Sequence, residues 1–261
     1  MSKRRCVWNQ STYEKYVREG RGCGSGADYK PWIRIQDFAS HGVVSRVKGR
    51  TTGRVHHLMS NNELAYFYAL DWSDDVTDIR EQYPLMDLDC AVSLAAQAGI
   101  KYPTDQMSGF PYVMTCDFMI TTQTGLKART VKMTAELENP RVLEKLEIER
   151  RYWSAQGIDW RIVTEREISR QRAKNIEWLY TADGFNISGY GEYELERIRR
   201  VLLNLLKVDE YSIIEATRII ENEFLLFPGA GLQIFKKLVL DKMIDIDLNR
   251  AISLDAKVAA A

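Results

Sequence analysis

A strand–turn–strand–helix–strand run between Val113 and Thr164 constrains the fold of this chain more than any other stretch. Val113–Ile120 (V-M-T-C-D-F-M-I) and Ala128–Met133 (A-R-T-V-K-M) are dominated by β-branched and apolar residues, with the turn dipeptide Thr124-Gly125 between them. Asn139 and Pro140 then supply the N-cap and first-turn signals of a helix. It is expected from about Arg141 to Gln156 and stops at Gly157. Val142, Leu146 and Trp153 form its buried stripe, with Leu143 beside it, and Glu147, Arg150 and Arg151 line a solvated face. Ile158–Thr164 (I-D-W-R-I-V-T) reads as the next strand. A strand, a helix and a strand imply a right-handed crossover between parallel strands. Added to an antiparallel hairpin, this predicts a mixed sheet with helices packed on it.

If the hairpin pairs symmetrically about Thr124-Gly125, Asp117 and Lys132 lie opposite each other, with Cβ atoms roughly 5 Å apart. Thr130 shares their face, because strand side chains alternate. A carboxylate, a hydroxyl and an ammonium on one face suit a magnesium-and-water site. On these residues alone, a cross-strand ion pair on a solvated face is the favoured reading.

Upstream, Ser60 to about Leu70 reads as a helix, with Ser60 as N-cap and Glu63 at the capping-box position. Glu63 can bond back to that cap or face the hairpin. Asp78–Leu85 (D-I-R-E-Q-Y-P-L) is a short extended segment, and Pro84 marks it as an edge or a strand end. Within it, an Arg80–Glu81 pair with Gln82 reads as structural support. Residues 87–108 form an irregular insertion with a short helix around Ala91–Ala98. From Glu167 the pattern turns helical, at 167–180, 192–207, 209–226 and 231–242. Val239–Leu248 ends in the alternating M-I-D-I-D-L, which suits a small wing strand. The chain therefore divides into a basic arm (1–57), an α/β core (58–166) and a mostly helical, winged-helix-like region (167–261).

Apolar content of 45% and charged content of 28% are ordinary for a soluble globular protein. No uncharged apolar run approaches the ~20 residues needed to cross a bilayer. The basic Met1–Arg5 lacks the apolar stretch of a secretory leader. Cys6, Cys23, Cys90 and Cys116 are scattered without a C-x-x-C, which argues against a zinc module or a disulfide framework and suits a reducing cytosol. His41, His56 and His57 have no metal-ligand spacing.

The net charge of zero hides an asymmetry. Residues 1–57 hold 12 lysines and arginines against 4 aspartates and glutamates, interleaved with Trp8, Tyr13, Tyr16, Tyr29 and Trp32 and the glycines of G-R-G-C-G-S-G. Cations, aromatics and glycines together suit a phosphate backbone, with Arg18, Arg21, Lys30, Arg34, Arg46, Lys48, Arg50 and Arg54 as candidate contacts. The alternative is an arm packed on the chain's own acidic body. The glycine run lacks G-K-[ST] and is not a P-loop. Residues 168–261 carry 13 basic and 14 acidic side chains, so a protein–protein role there is as plausible as DNA binding.

Glu63 on a helix, Asp117 on one strand and Thr130-Val131-Lys132 on the next make a constellation for phosphodiester hydrolysis. Carboxylates suit a hard cation, which polarises phosphate and activates water. A lysine can orient or help deprotonate the water and offset the developing charge. The P-D…(D/E)-x-K nucleases carry this arrangement on a mixed sheet.

The wording of the chain goes further. The stretches 53–65 (G-R-V-H-H-L-M-S-N-N-E-L-A), 78–85, 115–118 (T-C-D-F), 131–132 (V-K), 143–153 (L-E-K-L-E-I-E-R-R-Y-W) and 175–180 (N-I-E-W-L-Y) resemble the TnsA endonuclease family, as does the E-G-R-G-x-G-x-G-x-D-Y-x-P-W-I run at 19–33. The resemblance spans roughly 15–180. It implies a restriction-endonuclease-like domain, followed by a helical, winged-helix-like one. It implies magnesium-dependent cutting of the 5′ strand at transposon ends, with manganese able to substitute, beside TnsB and a TnsC regulator. By position, Glu63, Asp117 and Lys132 would be catalytic, and Glu63, Asp117, Thr130 and Val131 would serve the metal. Family members often carry glutamine where Thr130 stands, so a water bridge from Thr130, or the Val131 carbonyl, would take up that coordination. Many also read V-K-P, where this chain has Met133. Two other roles fit the same residues: an architectural subunit that recruits TnsC and DNA without cutting, and a stand-alone restriction or junction nuclease.

Overall fold

The computed structural model describes residues 8–37, 43–187, 189–208 and 210–258; Cys6 and His41 lie outside them. The chain divides into two compact units, Met1–Ile168 and Ser169–Ala261.

In the first unit a four-stranded sheet has the order β3-β4-β5-β6, made of β3 (Val76–Pro84), β4 (Thr115–Thr122), β5 (Gly125–Val131) and β6 (Asp159–Val163). β3, β4 and β5 pair antiparallel, and β6 joins β5 in parallel, so the sheet is mixed as expected. Helix α4 (Pro140–Ala155) makes the crossover, with Asn139 as N-cap and Pro140 in its first turn. Helix α3 (Leu88–Gln97) packs with α4 over a cluster that includes Leu85, Ala95, Cys116, Met119, Ala128, Ile148 and Trp153. The buried stripe of α4 is Leu146, Ile148, Glu149, Tyr152 and Trp153; Val142 is half-buried and Leu143 exposed, so the expected stripe is displaced toward the C-terminal half.

Helix α2 (Asn61–Asp71) belongs with a separate hairpin, β1 (Ser45–Lys48) and β2 (Val55–Leu58), that the sequence reading did not foresee. His56 of β2 packs on Phe67 of α2 at 4.5 Å between ring centres.

The arm is a packed structure. Helix α1 (Gln10–Arg18) is capped by Asn9. Trp8, Tyr16 and Trp32 meet edge to face at 5.5–6.3 Å, and Trp8 stacks on Tyr112 at 6.0 Å. The glycine run turns through left-handed backbone; a Cβ on Gly22 would lie 2.5 Å from Pro84, so this run is a close-packing device against β3.

The second unit is helical: α5 (Arg170–Tyr180), α6 (Glu192–Lys207), α7 (Ile213–Glu223) and α8 (Ala230–Leu240). No strand forms among its described residues, which corrects the expected wing. After α8 the chain turns through left-handed Lys242 (φ 57°), and Ile244 and Leu248 are buried without a partner strand to pair with. No helix among the described residues is long and apolar enough to cross a membrane.

Candidate active site

The sheet contains a local exchange of faces. With strict alternation Glu81 and Tyr83 would share a face, as would Cys116 and Phe118. Instead the Glu81 carboxylate turns to β2 and accepts from Arg54, His56 and the His57 N–H, while Tyr83 packs on Trp153 of α4 at 5.9 Å. Phe118 meets Tyr66 of α2 at 5.7 Å, whereas Cys116 joins the cluster under α3 and α4. The exchange occurs between these pairs, at Gln82 (φ 49°) on β3 and Asp117 on β4.

The β4–β5 ladder runs from Thr122↔Gly125 to Phe118↔Arg129, so the turn is Gln123-Thr124 and not Thr124-Gly125. The Thr122 hydroxyl closes it by donating to the Gly125 carbonyl at 3.0 Å. Continued in this register, Asp117 faces Thr130 and not Lys132, which corrects the symmetric pairing by two residues. Beyond Phe118 the ladder stops, and the Asp117 carboxylate accepts the Val131 N–H at 2.7 Å. A two-residue slip preserves faces. Lys132 therefore still reaches Asp117, with Nζ 3.6 Å from Oδ2, and its ammonium donates to the Val131 carbonyl at 3.0 Å. Burial pulls the Lys132 pKa down, but Asp117, Glu149, Glu136 and Glu63 outweigh this and leave it raised. These carboxylates and the Val131 carbonyl hold Lys132 in its charged form.

Glu63 bonds back to its helix cap, one of the two roles the sequence allowed it. Its carboxylate accepts from the Met59 N–H at 2.9 Å and the Ser60 hydroxyl at 3.0 Å, and Ser60 Oγ accepts the Glu63 N–H at 3.1 Å. The side chain is buried, and burial and then the Asp117 charge push its pKa up against those donors. Thr130 is bonded within the fold. Its hydroxyl donates to Glu149 Oε2 at 2.5 Å and accepts from Trp160 Nε1 at 3.3 Å, so the expected metal-side role falls away from this side chain.

Glu149 is the group the sequence reading missed. It sits on the buried stripe of α4, one turn from Leu146 and Trp153. Burial, reinforced by Asp117, lifts its pKa to about 8 against the Thr130 hydroxyl, Lys132 and Trp160. The available signal was its spacing: residues 146, 149 and 153 share one helical face, and the outer two are apolar.

Among the described residues, no group of three or more His, Cys, Asp or Glu side chains is arranged to hold a metal ion. The donors at hand are the Glu63 and Asp117 carboxylates and the Val131 carbonyl. They fit a hard divalent cation: burial and the Asp117 charge raise the cost of ionising Glu63, and a cation held by these oxygens would offset it.

The candidate phosphate contacts divide. Arg21 is buried over the Tyr16 ring and donates to Asp37, Glu19 and the Trp32 carbonyl. Arg54 is an ion-pair partner of Glu81 and donates to the Ile79 carbonyl at 2.8 Å. Both are internal struts, which corrects their assignment. Arg18, Lys30, Arg46 and Lys48 are exposed, and Arg34 and Arg50 are half-buried.

Residues 73–165 match the family described as TnsA-like endonuclease N terminal, and 167–248 match TnsA endonuclease C terminal. Asp117, Lys132 and Glu149 fall inside the first match and Glu63 ahead of it. Over 205 residues the chain is 40% identical to the transposon Tn7 transposition protein TnsA of Escherichia coli, covering 77% of this chain and 74% of that protein. With a mixed sheet, a helical C-terminal region and these matches along most of its length, the chain belongs to the TnsA endonuclease family.

Proposed function

We propose that this chain is the strand-cutting subunit of a transposase, a magnesium-dependent endonuclease that hydrolyses the 5′ strand at transposon ends beside TnsB and TnsC partners. The observation that carries this is the meeting of Glu63, Asp117 and Lys132 where the β4–β5 ladder ends. Family membership and the antiparallel hairpin with its crossover helix support a restriction-endonuclease-like first unit. The exposed Arg18, Lys30, Arg46 and Lys48 are the DNA contacts in this reading.

Magnesium held by these oxygens would polarise the phosphate and lower the pKa of the attacking water. The chain's own groups do the rest. Val131 N–H fixes one Asp117 oxygen, and the Ser60 cap fixes Glu63, so both carboxylates are oriented before a ligand arrives. Lys132 keeps its proton and offsets the charge that develops on phosphate.

The test is a plasmid carrying matching transposon ends, incubated with TnsB, TnsC, magnesium and either wild type or Asp117→Ala, with breaks mapped on both strands. Double-strand breaks with wild type and only 3′-strand cuts with the variant support the reading. Identical products overturn it in favour of an architectural subunit.

A further inference from the structure

Gln82 is a buried glutamine near the C-terminal end of β3 with left-handed backbone, φ 49°. Non-glycine residues rarely adopt this conformation within a strand, and they persist in it only where the surroundings hold them. Here the surroundings do. The Trp32 N–H donates to the Gln82 carbonyl at 3.3 Å, and the Tyr29 hydroxyl holds the preceding Glu81 carbonyl at 3.0 Å. The Thr115 hydroxyl donates to Gln82 Oε1 at 3.1 Å, which points the amide nitrogen the other way, to Asp117 Oδ1 at 3.5 Å. Asp117 Oδ2 is already held by Val131.

Glycine would take up this backbone without strain, yet the position carries a long amide side chain. We propose that Gln82 is a positioning residue: the kinked backbone and Thr115 aim its amide at Asp117, so that both oxygens of that carboxylate are oriented for a divalent cation. This inference rests on Asp117 being a cation ligand, as proposed above. A polar group that orients a metal ligand commonly accounts for about 10–100-fold in metal affinity.

The test uses full-length Gln82→Gly, Gln82→Ala, Asp117→Ala and wild type, with manganese as the probe. Three quantities are read: manganese binding to the metal-free chain by calorimetry, melting temperature, and the manganese concentration giving half-maximal 5′-strand cutting with TnsB and TnsC. Gln82→Gly should melt above Gln82→Ala, because glycine suits the left-handed backbone. Both should nevertheless bind manganese at least about tenfold more weakly than wild type, with the cutting curve displaced by the same factor. The inference is overturned if either variant binds manganese as wild type does, or if binding follows melting temperature and recovers in Gln82→Gly. If Asp117→Ala itself binds and cuts like wild type, the functional reading fails first and this inference goes with it. Loss in Asp117→Ala with no loss in the Gln82 variants sinks this inference alone.

Discussion

The carboxylate of Asp117 accepts the backbone N–H of Val131 at 2.7 Å, so a side chain replaces a backbone carbonyl where the β4–β5 ladder runs out. The strands can separate there without leaving the Val131 donor unsatisfied, and the Val131 carbonyl is left to the Lys132 ammonium.

Lys132→Ala should reduce 5′-strand cutting by about 100–1000-fold, the cost of removing one preorganised charge-stabilising donor. The Lys132 side chain is 27% exposed, so its removal should change stability by no more than about 1 kcal/mol. Single-turnover cutting assays alongside thermal melts check both. Wild-type cutting would remove Lys132 from the mechanism.

Glu149 makes stability fall with rising pH. Its folded pKa of about 8 lies above the ordinary carboxylate value of 4.5, so its contribution is complete below pH 4.5 and is lost as pH climbs toward 8. Glu149→Gln keeps an acceptor for Thr130 but cannot ionise. The metal-free variant should be about 1–3 kcal/mol more stable than wild type at pH 8, with the gap closing toward pH 5. Urea unfolding of both proteins across that range decides; parallel curves would mean that Glu149 ionises freely in the fold.

Glu81 works in the opposite direction. Burial opposes its charge, but Arg54 and His56 win and hold its pKa at about 2. The stabilisation is present above pH 4.5 and is lost as pH falls toward 2, by about 3 kcal/mol in all. Glu81→Gln should be less stable than wild type at neutral pH and show a flatter acid limb. Equally steep acid limbs would show that other carboxylates set the acid transition.

The arm's cations should separate in a salt titration of DNA binding. Arg46→Ala or Lys48→Ala should weaken binding and lower the slope of log affinity against log salt by about 1. Arg21→Ala should leave the slope unchanged and cost about 3 kcal/mol of stability, because Asp37 loses its buried partner. A reduced slope in Arg21→Ala would return that residue to the DNA surface.

Local signals in the sequence located the elements that carry the site. The caps Ser60 and Asn139 act at the expected places, and the hairpin and crossover have the expected order. The meeting of Asp117 with Lys132 survives the register error because a slip of two residues keeps faces. What stayed hidden depends on partners remote in sequence. Arg21 and Arg54 read as free cations until Asp37 and Glu81, 16 and 27 positions away, are folded against them. Glu149 drew no reading of its own, because burial of a glutamate needs Thr130 and Trp160 from two strands. The alternation in M-I-D-I-D-L suits a strand, but among the described residues of this unit no strand forms for it to pair with.

The arm also decides what the sheet can join. β3 is an edge strand, and such edges invite another chain to add itself. Here the carbonyls of Ile79, Glu81 and Gln82 are taken by Arg54, the Tyr29 hydroxyl and the Trp32 N–H. Strand addition along this border would first have to peel the arm away, so this edge of the sheet is closed to another chain. Shortening the N-terminus to improve solubility would expose that border and work against its purpose.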